Sequence, residues 1–311
     1  MQVKNIFYLT GIILLAAGCN NVDFQKTKGG MPYKLFASKN GKKIDTGNIV
    51  KAHVLQKIKD SVVFSSYASM PVYFPVNPSQ ATYDISEVFL SLKEGDSVYA
   101  AQVMDTFIKR NPEIVKQTAY KNGDKITTAI KILKVFATEE EAKMDEEAGR
   151  SAFLQKEQAA VKDYISKKNI NAQPVGKGTY VEILEPGTGA DVDSGKYVTV
   201  KYKGQTFSGK VFDSNMDSTF GHTEPMGFTV GTVGPGGMIK GFDDGIQLLK
   251  KGGKGRFYIP SMLAYGPQPP SKDIKPFENL IFEVEVLDIL DKAPAQPQMQ
   301  QPVDPRTQIP K

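Results

Sequence analysis

The sequence predicts an α+β protein in which one antiparallel β-rich unit is duplicated and the two copies are joined by a long helix. Three observations predict it. Two segments alternate Val, Ile, Tyr and Phe and are punctuated by Gly, Asp and Asn, as strands and turns require. Between them, Thr138 to Lys168 has no Pro, one Gly and mostly strong helix formers. The flanking segments also match each other at a fixed offset.

The helix is expected from its own signals. Thr138 followed by Glu141 forms a capping box, and Leu154, Val161 and Ile165 share a face. Thirty residues from Glu139 rise about 45 Å at 1.5 Å per residue unless Gly149 interrupts them. Its acidic first half reads as a solvated linker, and residues 138–170 are assigned to it. The repeat is expected because Asp45-Thr46-Gly47 matches Asp193-Ser194-Gly195, 148 positions on, as do Val50 and Val198, Val63-Phe64 and Val211-Phe212, and Ser66 and Ser214. With a shorter intervening loop, Leu92 to Gly95 answers Leu249 to Gly252.

Composition narrows the chemistry. A chain of 311 residues suggests about two domains with appendages. Its 39 basic and 34 acidic residues give +5 without clustering, which argues against a nucleic-acid partner. Cys19 is the only cysteine, and His53 and His222 are the only histidines. No disulfide framework, multi-cysteine zinc site or multi-histidine metal centre can be written, and neither metal nor cofactor is expected.

The amino terminus reads as a targeting segment. Ile6 to Ala17 is an apolar run shorter than the about 20 residues of a helical span, as in a signal peptide. Leu15-Ala16-Ala17-Gly18-Cys19 resembles the lipobox of bacterial lipoproteins, in which the cysteine is acylated. The resemblance implies a signal peptide over 1–18, lipidation at Cys19 and a tether over 19–29. Asn20 in place of Asp favours the outer membrane, facing the periplasm. At the other end, residues 292–311 are half Pro or Gln and are expected to be disordered.

The second β-rich segment gives a strand ending KYVTVKYKG, then Val211 to Ser214, a strand from Met226 to Val230, and a loop ending in Met238-Ile239-Lys240. A short helix is expected over Asp243 to Leu249, with acids in its first turn. A strand GRFYIP, the turn Ala264-Tyr265-Gly266 and a last strand from Asn279 to Leu290 complete it. That makes one short helix and about five antiparallel strands. Gly231 to Gly237 is Gly-rich but follows neither dinucleotide nor P-loop spacing.

Through VKYKG, VFDS, MIKGFDDGI, LAYG, Ile274 with Pro276, and LIFEVEVL, this segment resembles an FKBP-type peptidyl-prolyl cis-trans isomerase along its whole length. The resemblance implies a bent antiparallel sheet wrapped around a short helix, and an isomerase domain over 171–291. It implies a proline pocket of Tyr202, Phe212, Met226, Ile239, Phe242, Ile274 and Phe282, with Asp213 and Tyr265 as the polar catalytic pair. Met226 stands where the family has a pocket phenylalanine, Phe242 where a tryptophan is common, and Lys275 where an Ile-Pro-Pro run has its first proline. Taken singly, Phe212, Phe282 and Ile239 each read better as plain core. His222 is expected in a solvated loop.

Carried to residues 30–137, the same pattern keeps the strands and loses the site. Val54 takes the place of the tyrosine, Ser65 that of the aspartate, and no Ala-Tyr-Gly occurs. This copy reads as a degenerate FKBP-like domain. The expected protein is a lipoprotein of the bacterial cell envelope that isomerises prolines in exported or unfolded polypeptides, with chaperone action as a further expectation. The rival is a non-catalytic FKBP-fold scaffold of an envelope or motility assembly. The sequence does not fix an oligomeric state.

Overall fold

The computed structural model describes residues 23–67, 69–115 and 121–294. The expected signal peptide, Cys19 and the tail beyond residue 294 lie outside the described residues. The chain divides into two units between residues 151 and 152. Among the described residues, no helix is long and apolar enough to cross a membrane.

The first unit holds strands β1 (Gln25–Lys26), β2 (Pro32–Phe36), β3 (Ile49–Ile58), β4 (Ser61–Ser65), β5 (Val72–Pro75), β6 (Ser97–Val103) and β7 (Lys125–Phe136). They form one antiparallel sheet in the order β1-β2-β6-β7-β3-β4, with β5 also on β3. Val50, Ala52, Val98, Ile130 and Ile132 alternate inward and bury one face. A 3-10 segment, Ile85–Ser91, follows β5, closed by a reciprocal capping box between Asp84 and Glu87. Helices α1 (Met104–Arg110) and α2 (Pro112–Val115) lie between β6 and β7.

The second unit repeats this plan. Strands β8 (Gln173–Val175), β9 (Thr179–Glu185), β10 (Tyr197–Thr206), β11 (Val211–Ser214), β12 (Met226–Thr229), β13 (Lys254–Ile259) and β14 (Leu280–Leu290) run in the order β11-β10-β14-β13-β9-β8, with β12 on β10. The sheet therefore has seven strands rather than about five, because β8 and β9 precede the segment in which strands were expected. The short helix also starts earlier than expected, spanning Lys240–Ile246. The Ile239 carbonyl already accepts the N–H groups of Phe242 and Asp243, which sets the first turn there. Gly241 and Gly245 put two missing side chains on the sheet side. A Cβ at Gly245 would lie 2.9 Å from the Phe257 ring, so glycine is what lets the helix touch the sheet.

The duplication is visible in the ladders. One shared strand runs from Ile49 to Ile58 in the first sheet and from Tyr197 to Thr206 in the second, 148 positions on at both ends. Its bulge falls between Lys51 and Ala52 in one copy and between Thr199 and Val200 in the other, the same offset again. The offset changes at the next hairpin. Leu55 pairs with Ser65 and Gln56 with Phe64, whereas Lys203 pairs with Ser214 and Gly204 with Asp213. The first hairpin is therefore one residue shorter, and Phe64 rather than Ser65 stands where Asp213 stands. Ser66 likewise matches Asn215, not Ser214. Its N–H donates to the Val54 carbonyl at 2.9 Å, as the N–H of Asn215 donates to that of Tyr202 at 3.1 Å.

Helix α3 (Glu139–Lys167) runs unbroken through Gly149 and contributes to both units. Thr138 Oγ1 accepts the Glu141 N–H at 3.2 Å, and the Glu141 carboxylate accepts the Ala137 N–H at 3.0 Å. The acidic half is not simply solvated. In the first unit, Asp145 accepts from Lys51 Nζ and from the Tyr73 hydroxyl, both at 2.6 Å, and Ala142 is buried. In the second unit, Val161 and Ile165 cover Tyr258 and Ile281, the face of β13 and β14 opposite Phe257 and Phe282.

Candidate active site

The site residues come from four strands of the second sheet and from the helix and loops that join them. Tyr202 lies on β10, Phe212 and Asp213 on β11, Met226 on β12 and Phe282 on β14. Ile239 caps the short helix α4 (Lys240–Ile246), and Phe242 sits in its first turn. Tyr265 follows the 3-10 turn Ser261–Leu263, and Ile274 lies in the loop leading to β14. All the predicted apolar residues pack into one cluster.

Aromatic rings form the centre of that cluster. The ring of Phe282 meets Phe212 edge-on at 5.7 Å and Phe242 edge-on at 5.4 Å, and lies 6.4 Å from Tyr202. Phe242 also packs edge-on against Phe228 at 5.8 Å and Phe257 at 5.4 Å, and is almost wholly buried. These are the offset geometries that ring quadrupoles favour. The strand beneath must leave room for them. A Cβ on Gly204 would fall 2.6 Å from the Phe212 ring and 3.0 Å from that of Phe282.

A polar edge borders the rings. The Tyr202 hydroxyl donates to Asp213 Oδ2 at 2.6 Å, and His222 Nε2 lies 2.9 Å from Asp213 Oδ1. Burial pushes the Tyr202 hydroxyl above its ordinary range, and its hydrogen bond to Asp213 adds to the shift. Burial also raises Tyr265, with the charge of Asp213 acting in the same direction. Both phenols remain protonated donors at neutral pH.

Sequence reasoning missed two members of this edge. His222 is half exposed, but its loop folds back onto Asp213 instead of standing free. Asn215 is fully buried; its Oδ1 accepts the Tyr202 N–H at 2.7 Å, and its Nδ2 donates to the carbonyls of Val200 and Glu224 at 3.1 Å each. Together with the Ser214 hydroxyl, which donates to the Tyr202 carbonyl at 3.1 Å, it pins the loop between Asp213 and Met226 to β10. The asparagine two residues after Asp213, in a run with no other reason for a buried amide, was the available signal.

Among the described residues, the first unit assembles nothing comparable. Val54 and Phe64 replace the tyrosine and aspartate, Gln56 replaces Gly204, and helices α1 and α2 occupy the connection that carries Tyr265 in the second unit.

The family model for FKBP-type peptidyl-prolyl cis-trans isomerase matches residues 189–287. An FK506-binding protein of Neisseria meningitidis serogroup B is 38% identical over 114 residues, which are 37% of this chain and 98% of that protein. A probable FKBP-type peptidyl-prolyl cis-trans isomerase of Haemophilus influenzae is 37% identical over 126 residues, 40% of this chain and 48% of that protein. The FKBP-type peptidyl-prolyl cis-trans isomerase FkpA of Escherichia coli K12 is 32% identical over 162 residues, 51% of this chain and 54% of that protein. The chain thus spans about half the length of the last two relatives and nearly all of the first. With the match lying on the very unit that carries the aromatic cluster and its polar edge, the chain belongs to the FKBP-type peptidyl-prolyl cis-trans isomerases.

Proposed function

We propose that the aromatic cluster of the second unit binds the proline ring of an extended polypeptide and that Asp213 and Tyr265 assist rotation of its imide bond. The observation that carries this reading is the Asp213 carboxylate, held by Tyr202 and His222 beside the rings of Phe212 and Phe282. Rotation about an X-Pro bond meets a barrier of about 18–20 kcal/mol because amide resonance is lost as the bond twists. The twisted imide is less dipolar than the planar one, so it loses less on leaving water. A dry pocket of Phe212, Phe242, Phe282, Met226 and Ile274 therefore favours the transition state over the ground state.

The remaining groups orient the chain. The Ile239 N–H, at the start of α4, is placed to receive a substrate carbonyl, and the Tyr265 hydroxyl contacts bound backbone. Asp213 acts through its field and its hydrogen bonds, since no proton must leave carbon or nitrogen for the bond to turn. The test is isomerisation of a short prolyl peptide by the full chain. Activity in the wild type that falls in D213V and Y265F at unchanged melting temperature supports the assignment. A folded, inactive wild type would instead favour the non-catalytic scaffold.

The reading extends to the cell envelope. Cys19 and the apolar run before it support a lipid anchor, and exported or unfolded polypeptides are the clients such a location offers. The first unit then serves to hold extended polypeptide, a chaperone role motivated by the exposed Val62, Val63 and Phe64 on its edge strand β4.

A further inference from the structure

We infer that Glu157, on the helix shared by the two units, is a positioning residue for Tyr265; the inference rests on the proposed role of Tyr265 in the isomerase site. Glu157 is a charged residue only 6% exposed, on the same helix face as Leu154 and Val161. Among the described residues, its carboxylate forms no ion pair with a lysine or arginine. It accepts hydrogen bonds from the Ser261 hydroxyl and, at 3.0 Å, from the Met262 N–H.

Those two residues begin the turn that delivers Tyr265. Ser261 is fully buried, and each of its polar groups is committed. Its N–H donates to Asn279 Oδ1 at 2.9 Å, and its carbonyl accepts the N–H groups of Ala264 and Gly266, both at 2.9 Å. Tyr265 is therefore bracketed in sequence by two hydrogen bonds that end on one carbonyl. What fixes that carbonyl fixes the tyrosine, and Glu157 supplies two of the bonds that fix it. A second contact from the same helix reaches the neighbouring loop. The ring of Phe153 meets that of Phe277 edge-on at 5.3 Å, and the Phe277 N–H donates to the Gly266 carbonyl at 2.8 Å.

An unpaired carboxylate at this depth is a costly way to hold a loop in place. Burial pushes the Glu157 carboxyl up, and the bonds from Ser261 and Met262 oppose the shift only in part. A leucine would fill the apolar face between Leu154 and Val161 without that penalty. The carboxylate does what leucine cannot: it accepts from a hydroxyl and an N–H at once and so sets the angle of the turn.

A double-mutant cycle on the full chain tests the inference, with kcat/KM on a short prolyl peptide measured for wild type, E157Q, Y265F and the double variant, alongside melting temperatures. E157Q keeps the shape of the side chain but offers an NH2 group to one of the two donors. The expected result is a loss of about fivefold to tenfold in E157Q, corresponding to one lost hydrogen bond's worth of alignment. In the Y265F background the same substitution should change kcat/KM by less than about twofold, because its route is already cut. Equal losses in both backgrounds, or a lower melting temperature with unchanged kcat/KM, would overturn the inference. Y265F at wild-type activity would overturn the proposed site itself, a distinguishable outcome. Should E157Q fail to fold, S261A removes the same bond from the other side and is read in the same cycle.

Discussion

His222 Nε2 and Asp213 Oδ1 lie 2.9 Å apart, while Tyr202 holds the other oxygen of the same carboxylate at 2.6 Å. The two donors differ in environment: Tyr202 is buried, whereas the His222 side chain is 44% exposed. An exposed partner contributes less than about 1 kcal/mol, so H222A is expected to lower kcat/KM by less than about fivefold. D213V strips the acceptor from both donors and leaves the buried Tyr202 hydroxyl unpaired, so its loss should exceed about tenfold. Isomerisation of a prolyl peptide measures both, and the reverse ranking would contradict the assignment of the carboxylate as the centre of the edge.

Gly204 makes a sharper structural prediction. The methyl of G204A would press on the rings of Phe212 and Phe282 at 2.6 and 3.0 Å, and the ring on the edge strand must give way. Overpacking of this kind costs about 1–3 kcal/mol. Both the melting temperature and kcat/KM should fall, and peptide affinity should fall with them. Wild-type binding in G204A would show that the rings do not line the peptide's seat.

The chain has no tryptophan, which makes F242W informative. Phe242 is almost wholly buried and is packed by Phe228, Phe257 and Phe282 at 5.4–5.8 Å. The larger indole is expected to lower stability by about 1–3 kcal/mol while supplying the protein's sole tryptophan emission. Titration with a prolyl peptide should then shift that emission. A spectrum that ignores saturating peptide would place the proline elsewhere.

Asp145 links pH to the first unit. Burial raises its carboxyl, but hydrogen bonds from Lys51 and Tyr73 and the charge of Lys51 outweigh burial and hold it below the ordinary range. A depressed carboxyl contributes stability above its unfolded pKa and loses it as pH falls through its folded value. The difference in melting temperature between wild type and D145N should therefore be complete at neutral pH and close under acid conditions. A difference that persists unchanged below about pH 3 would assign the effect to shape and not to charge.

Membrane attachment is tested at Cys19. One acyl chain binds membranes only marginally, and several hold stably, so C19S should move the protein from the membrane fraction to the soluble one. Intact mass of the wild-type protein without added lipid would rule the anchor out.

How much of this was legible depended on what marks a residue leaves in sequence. Five of the seven strands of the second unit, β10 to β14, showed because apolar alternation and glycine punctuation act locally. The apolar cluster around Phe242 and Phe282 showed through its ordered motifs. His222 did not, because a loop of eight residues between Asp213 and His222 says nothing about where its end folds back. The shortened hairpin of the first unit was equally silent: the matching residues Val63-Phe64 and Val211-Phe212 keep an offset of 148 beyond the turn, and only pairing reveals the slip. Glu157 was readable in principle, being a carboxylate inside the stripe formed by Leu154 and Val161. A helix rich in acids elsewhere hid it.

The one-residue slip in the first hairpin bears on the history of the duplication. Gln56 stands opposite Phe64 where the second copy sets Gly204 opposite Asp213. Regaining a site in the first copy would require clearing Gln56, inserting a residue into a tight turn and replacing helices α1 and α2 with a tyrosine-bearing loop. No one of these helps without the others, and one of them is not a point substitution. The divergence of the two copies is therefore effectively irreversible, and selection can act on the first only in roles that need no proline pocket.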